Sequence, residues 1–201
     1  SPLNTYGATK LLMEKLFVTA SNYTNPNRYR TKFIAIRYGN VLGSSGSIVP
    51  TLVKQIESGK NITITDPTMT RFNITMSQAL DFIIRSIKKG NGGEVFIPKL
   101  KAYSLEILKD TILEVLKKDV KTEIISVRPG EKYHESLISN EEIRNTFEDD
   151  EDYVILQSPQ SINHKFKKTS LKNEYSSDNV KLLDKEEIKN VLIKDLAEIF
   201  K

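Results

Sequence analysis

The sequence predicts an α/β fold, and three observations predict it. Apolar residues at helical spacing alternate with short continuous apolar runs, as where LLMEKLFVTA is followed by FIAIR. The runs lead into loops built on glycine or proline, YGNVLGSSGS after FIAIR and RPG after TEIISV. The 201 residues carry 38% hydrophobic side chains, enough to bury a core of good size, and show no internal repeat.

Along the chain, Leu12, Leu16 and Ala20 recur at four-residue steps beside Leu11 and Val18, which predicts a helix over 6–23 with a buried stripe. NPN at 25–27 ends it. FIAIR at 33–37 predicts a strand covered on both faces. IVPTLVKQIES predicts a helix stopped by Gly59, and ITI at 62–64 a short strand. Ser77 is placed to cap QALDFIIRSIKK, which Gly90 closes. EVFIP reads as a strand, Ser104 caps LEILKDTILEVLKK, and TEIISV at 122–127 is a further strand. NEEIRNTF predicts a short capped helix, YVILQ a strand, and 158–180 polar irregular chain. Asp184 and Glu187 form a D-x-x-E capping box at the head of EEIKNVLIKDLAEIF.

Composition narrows the function classes. No apolar run approaches the ~20 residues of a membrane span, and the polar SPLNT opening is not a signal peptide, so no membrane role is expected. With no Cys, and with only His134 and His164 far apart, neither disulfides nor a histidine-rich metal site is expected, which suits a cytoplasmic protein. The net charge of +4 comes from dispersed lysines offset by EDDED at 148–152. Without an aromatic-interleaved basic motif, an anionic small molecule is a better partner than a nucleic acid.

Two stretches carry chemistry. Tyr6 and Lys10 stand four residues apart, neighbours on one helix face; a protonated Lys there favours the phenolate and suits Tyr6 to proton transfer. The same spacing also fits plain packing beside a solvated charge. A dinucleotide-binding G-x-G-x-x-G turn, with its acidic residue about twenty positions on, is absent. GSSGS at 43–47 is not that fingerprint. It follows a strand and precedes a helix, so its N–H groups could cradle a phosphate or lie along a cofactor, although glycine and serine equally build ordinary loops.

Taken together, NTYGATKLLMEKL, RYGNVLGSSGSIVPTLVKQI, MTRFNIT, GGEVFIP, VRPGEKYHESLIS and YSSDN resemble, in order, the UDP-N-acetylglucosamine 4,6-dehydratases, extended short-chain dehydrogenase/reductases of bacterial surface-sugar pathways. TRFNIT with GGEVFIPK is most similar to the inverting enzymes that begin pseudaminic acid synthesis for surface glycans or flagellin. The resemblance implies the C-terminal part of a Rossmann-like fold plus a smaller α/β substrate domain, with the N-terminal GxGxxG half absent. Residues 1–60 would end the NADP-binding domain, and 61–201 would form mainly the nucleotide-sugar domain, interleaved with it. A longer, homo-oligomeric enzyme is implied, whose Asp-Lys elimination pair would precede Ser1.

The implied reaction dehydrates UDP-N-acetylglucosamine to a 4-keto-6-deoxy sugar nucleotide, with NADP as a transient oxidant at carbon 4 and inversion at carbon 5. By resemblance Tyr6 is the redox acid/base, while Lys10 supports it and bonds the nicotinamide ribose. Val41, Leu42, Gly43, Ser44 and Ser45 map onto backbone flanking the nicotinamide. Asn40 maps onto a sugar-nucleotide contact, Arg71 and Arg128 onto diphosphate and uridine contacts, and Glu131 onto a uridine or ribose hydroxyl. Guanidinium suits that work, offering two parallel donors to phosphate oxygens. Read alone, Asn40 is a turn residue, each Arg a surface charge, and His134 structural. An epimerase or reductase of the same superfamily, or a non-catalytic sugar-nucleotide-binding module, is the alternative.

Overall fold

The computed structural model describes residues 2–23, 31–44, 46–157 and 166–199. In chain order the elements are α1 (Thr5–Tyr23), β1 (Ala35–Ile36), β2 (Asn40–Val41), α2 (Ile48–Glu57), β3 (Ile62–Ile64), β4 (Thr70–Ile74) and α3 (Met76–Lys89). There follow β5 (Val95–Pro98), β6 (Ala102–Ser104), α4 (Leu105–Leu116), β7 (Thr122–Ile124), β8 (Ser136–Ile138) and a 3-10 turn over Glu142–Asn145. The chain continues with β9 (Thr146–Glu148), β10 (Asp152–Ile155), β11 (Lys167–Lys168), β12 (Tyr175–Ser176) and α5 (Lys185–Ile199). Among the described residues no helix is long and apolar enough to cross a membrane.

Two compact units interleave along the sequence. The first comprises Ser1–Tyr38, Ser77–Lys99 and Ser136–Tyr175. Its sheet runs β1-β5-β10-β9-β11, with β1 parallel to β5 and the other pairs antiparallel. Phe82, Phe96, Phe147, Val154, Leu156 and Phe166 form the core beneath it, each buried side chain contributing roughly 1.5–3 kcal/mol.

The helix α1 forms as its periodicity predicts, but its stripe is not buried. Leu12 is 60% exposed and Leu16 62%, and only Val18 is fully covered. Within this unit α1 meets β1 and sets Phe17 at a tilt against Phe33, while Leu11, Leu12, Met13 and Leu16 remain exposed. FIAIR shows the same shortfall: β1 is laddered to β5 on one side and its residues are only half-buried. Gly90 follows α3 without a positive φ; a β-carbon there would press on the Ile34 side chain, and the left-handed turn falls to Gly92 and Gly93. Ser77 lies inside the first turn of α3 rather than before it, because the chain passes from β4 into the helix with only Thr75 between.

The second unit comprises Gly39–Met76, Leu100–Glu135 and Ser176–Lys201. Here β2 is parallel and β6 antiparallel to β4, and β3 pairs in parallel with β7. Leu52, Ile56, Ile62, Leu108, Ile112 and Leu192 bring α2, α4 and α5 into one core. Gly59, at φ 68°, ends α2 with paired bonds, its own N–H to the Ile56 carbonyl and the Lys60 N–H to that of Gln55. Ser104 caps α4 by accepting the Ile107 N–H, and Asp184 and Glu187 exchange reciprocal side-chain bonds at the head of α5. TRFNI, unassigned from its pattern, is the central strand of this sheet. The stretch TEIISV yields only the three exposed residues of β7.

Candidate functional site

Asn4 starts α1: its side-chain oxygen accepts the Gly7 N–H at 2.8 Å and its carbonyl accepts the Ala8 N–H. Tyr6 and Lys10 therefore fall one turn apart on the first helical face, with Lys10 Nζ 5.4 Å from the centroid of the Tyr6 ring. Tyr6 is 71% exposed, so its hydroxyl is open to a ligand. The pair belongs to the first unit; every other described residue expected in the site belongs to the second.

Asn40 and Val41 form β2, paired with Asn73 and Ile74 of β4. The ladder ends when Leu42 donates its N–H to Ile74, and the chain turns at Val41–Ser44 with Gly43 at φ 77°. Ser44 in turn accepts the Ser47 N–H, and α2 begins at the next residue. Leu42 is buried, while Asn40 is exposed. Ser45 lies outside the described residues. The glycines serve this path directly: a β-carbon at Gly39 would sit 2.7 Å from the Phe72 carbonyl oxygen.

Arg71 and Glu131 meet, at 3.8 Å between Nη2 and Oε1. Arg71 also donates through Nη1 to the carbonyls of Thr70 at 2.8 Å and Tyr133 at 3.0 Å, which fixes the plane of its guanidinium. Arg128, Pro129, Gly130 and Glu131 form a tight turn in which Gly130 takes φ 81° and the Glu131 N–H bonds the Arg128 carbonyl at 3.0 Å. The Glu131 carboxylate accepts the Arg128 N–H at 3.2 Å and the Thr65 hydroxyl at 3.2 Å. Arg128 itself is exposed on this pinned turn.

The structure gathers three further residues around Arg71. Antiparallel pairing sets Tyr103 beside Arg71, and parallel pairing sets Asn73 beside Asn40, so all four share one face of the β2-β4-β6 sheet. Burial pushes the Tyr103 phenol up and the nearby Glu135 carboxylate adds to this, against Arg71 and a hydrogen bond with Asn40. Burial likewise raises the Glu135 carboxyl, opposed by the Phe72 N–H at 2.9 Å and by Arg71 and Lys132. Reading TRFNI as a strand would have put Asn73 on the face of Arg71, two residues away; nothing in the sequence brings Tyr103 there. His134 bonds the Thr70 hydroxyl through Nδ1 at 2.8 Å.

Residues 1–157 match a family described as polysaccharide biosynthesis protein. A Rickettsia massiliae protein named UDP-glucose 4-epimerase is 34% identical over 198 residues, which take in 96% of this chain and 58% of that protein. Among solved structures, Pen from Bacillus thuringiensis is 36% identical with a TM-score of 0.86, over 98% of this chain and 59% of that one. The UDP-glucuronic acid 4-epimerase of Bacillus cereus, solved with UDP-glucuronic acid and NAD, is 25% identical with a TM-score of 0.56, over 66% of this chain and 43% of that one. The chain thus spans well under two thirds of the length of the relatives it matches. Its partial Rossmann-like α/β architecture is theirs, shared with nucleotide-sugar epimerases, and by sequence the chain belongs to the polysaccharide biosynthesis protein family.

Proposed function

We propose that the full-length protein containing this chain is a cytoplasmic, homo-oligomeric UDP-N-acetylglucosamine 4,6-dehydratase that uses NADP and inverts carbon 5. The observation that carries this reading is the Tyr6–Lys10 pair, a phenol and an ammonium together on an exposed helix face. That donor set fits the ribose and nicotinamide end of a dinucleotide. When bound, such a cofactor would supply oxidation at carbon 4 of the hexose and reduction at carbon 6.

The residues of this chain do the rest of the redox half. Tyr6 takes the proton of the carbon 4 hydroxyl as the ketone forms, and Lys10 holds positive charge beside the phenol. Val41, Leu42, Gly43 and Ser44 line the nicotinamide with backbone, and Ser45 is assigned there by resemblance. Arg71 and Arg128 bind the diphosphate and uridine, Glu131 takes a ribose or uracil donor, and Asn40 bonds the sugar nucleotide. Residues 1–60 complete the cofactor domain and 61–201 supply most of the substrate domain. The exposed stripe of α1 and the half-covered β1 are the surfaces that the remaining length, present in the relatives, would cover.

A 4-epimerase is the second reading, favoured by the name of the Rickettsia relative. Incubating the full-length protein with UDP-N-acetylglucosamine and NADP or NAD separates the two. Loss of one water with a 4-keto product is expected; an isomer of unchanged mass moves the assignment to the epimerase. Turnover of UDP-glucose alone would overturn the acetamido-sugar substrate.

A further inference from the structure

Asn73 carries a side-chain oxygen that the fold buries and leaves without a hydrogen bond. The residue is 8% exposed, and its Oδ1 has no partner. Buried acceptors are nearly always paired, because stripping one of water without replacing the bond costs stability. Of the side chains on its face, Asn40 bonds Tyr103, and Arg71 donates to the carbonyls of Thr70 and Tyr133. Asn73 is also the strand neighbour of Asn40, with which it pairs in register, and stands two residues from Arg71.

We infer that Asn73 is a ligand-binding residue whose Oδ1 accepts an O–H or N–H from the nucleotide sugar. This rests on the proposed nucleotide-sugar function. An amide oxygen takes only donors, so its partner is not a phosphate oxygen. It is a hydroxyl of the ribose or hexose, the N–H of uracil, or the N–H of an acetamido group. Asn73 thereby reads the presence of a donor where Arg71 reads negative charge, and a ligand lacking that donor leaves the oxygen buried and unpaired.

The test compares the full-length protein with its Asn73→Leu variant, measuring affinity for UDP, UDP-glucose and UDP-N-acetylglucosamine by calorimetry and the melting temperature without ligand. Leucine matches asparagine in size and removes the unpaired acceptor, so the expected result is affinity weakened on the order of tenfold with an equal or higher melting temperature. Weakening with all three ligands places the donor on uridine, with both sugars on the hexose, and with UDP-N-acetylglucosamine alone on the acetamido group. Unchanged affinity, or affinity lost only together with thermal stability, would overturn the inference. Asn73→Ala, judged by the same criteria, carries the test should Leu prevent folding. If the unsubstituted protein binds none of the three ligands, the nucleotide-sugar reading itself fails, which is a different result from a variant that binds as well as the unsubstituted protein.

Discussion

Arg37 grips Glu142 through two hydrogen bonds, Nη1 to Oε2 at 2.9 Å and Nη2 to Oε1 at 2.7 Å. The same guanidinium takes Glu14 through Nε at 2.6 Å and Nη2 at 2.7 Å, and donates to the Leu137 carbonyl. One planar cation thus ties α1 and β1 to the 3-10 turn within the first unit. Burial works against the Glu142 charge, but Arg37, the Ser139 N–H and Lys15 together hold its carboxyl at about 2.

A carboxyl depressed from 4.5 to about 2 stabilises the fold fully above its ordinary value and loses that contribution as pH falls through about 2. Unfolding measured between these limits should show stability rising with pH, and Glu142→Gln should flatten that slope. Arg37→Ala, which leaves two carboxylates facing each other, should cost at least ~2 kcal/mol in chemical denaturation. A profile identical to that of the unsubstituted protein would discount the pair.

Gly39 is set by its neighbour. With a β-carbon 2.7 Å from the Phe72 carbonyl oxygen, Gly39→Ala must push β4 away or strain the entry to β2. The expected loss is about 1–3 kcal/mol, read as a lower melting temperature. Because Asn40 follows at once, ligand affinity should fall with it, whereas Gly59→Ala should lower stability alone.

Tyr6→Phe keeps the ring beside Lys10 and removes the proton carrier. In the full-length protein kcat should drop by at least ~100-fold with substrate affinity nearly intact. A near-normal rate would remove Tyr6 from the chemistry.

Arg128→Ala leaves the turn itself in place, since Gly130 and the Glu131 N–H still close it. Binding of the UDP sugar should weaken by about 1.5–3 kcal/mol, the range for a hydrogen bond to a charged group, with kcat little changed. Glu131→Gln should weaken binding less and also loosen the turn, seen as faster amide exchange at Arg128.

Much of this was legible in the residues because local chemistry decides it. Gly59 needed a left-handed backbone, Ser104 and Asp184 needed orphan N–H groups to accept, and Arg128-Pro-Gly-Glu spelled its own turn. Burial was not legible in the same way. The four-residue steps of Leu12, Leu16 and Ala20 predict a helix correctly, but periodicity reports which residues share a face and says nothing about whether anything covers it.

The sequence by itself determined the α/β class, the order of most elements and the one-turn pairing of Tyr6 with Lys10, since these depend on contacts within a few residues. Only the tertiary structure decided that Asn40, Asn73, Arg71 and Tyr103 share a sheet face and that Asn73 Oδ1 is left unpaired there. Strand pairing sets both outcomes, and the register between β2, β4 and β6 joins residues tens of positions apart, a distance over which no local preference acts.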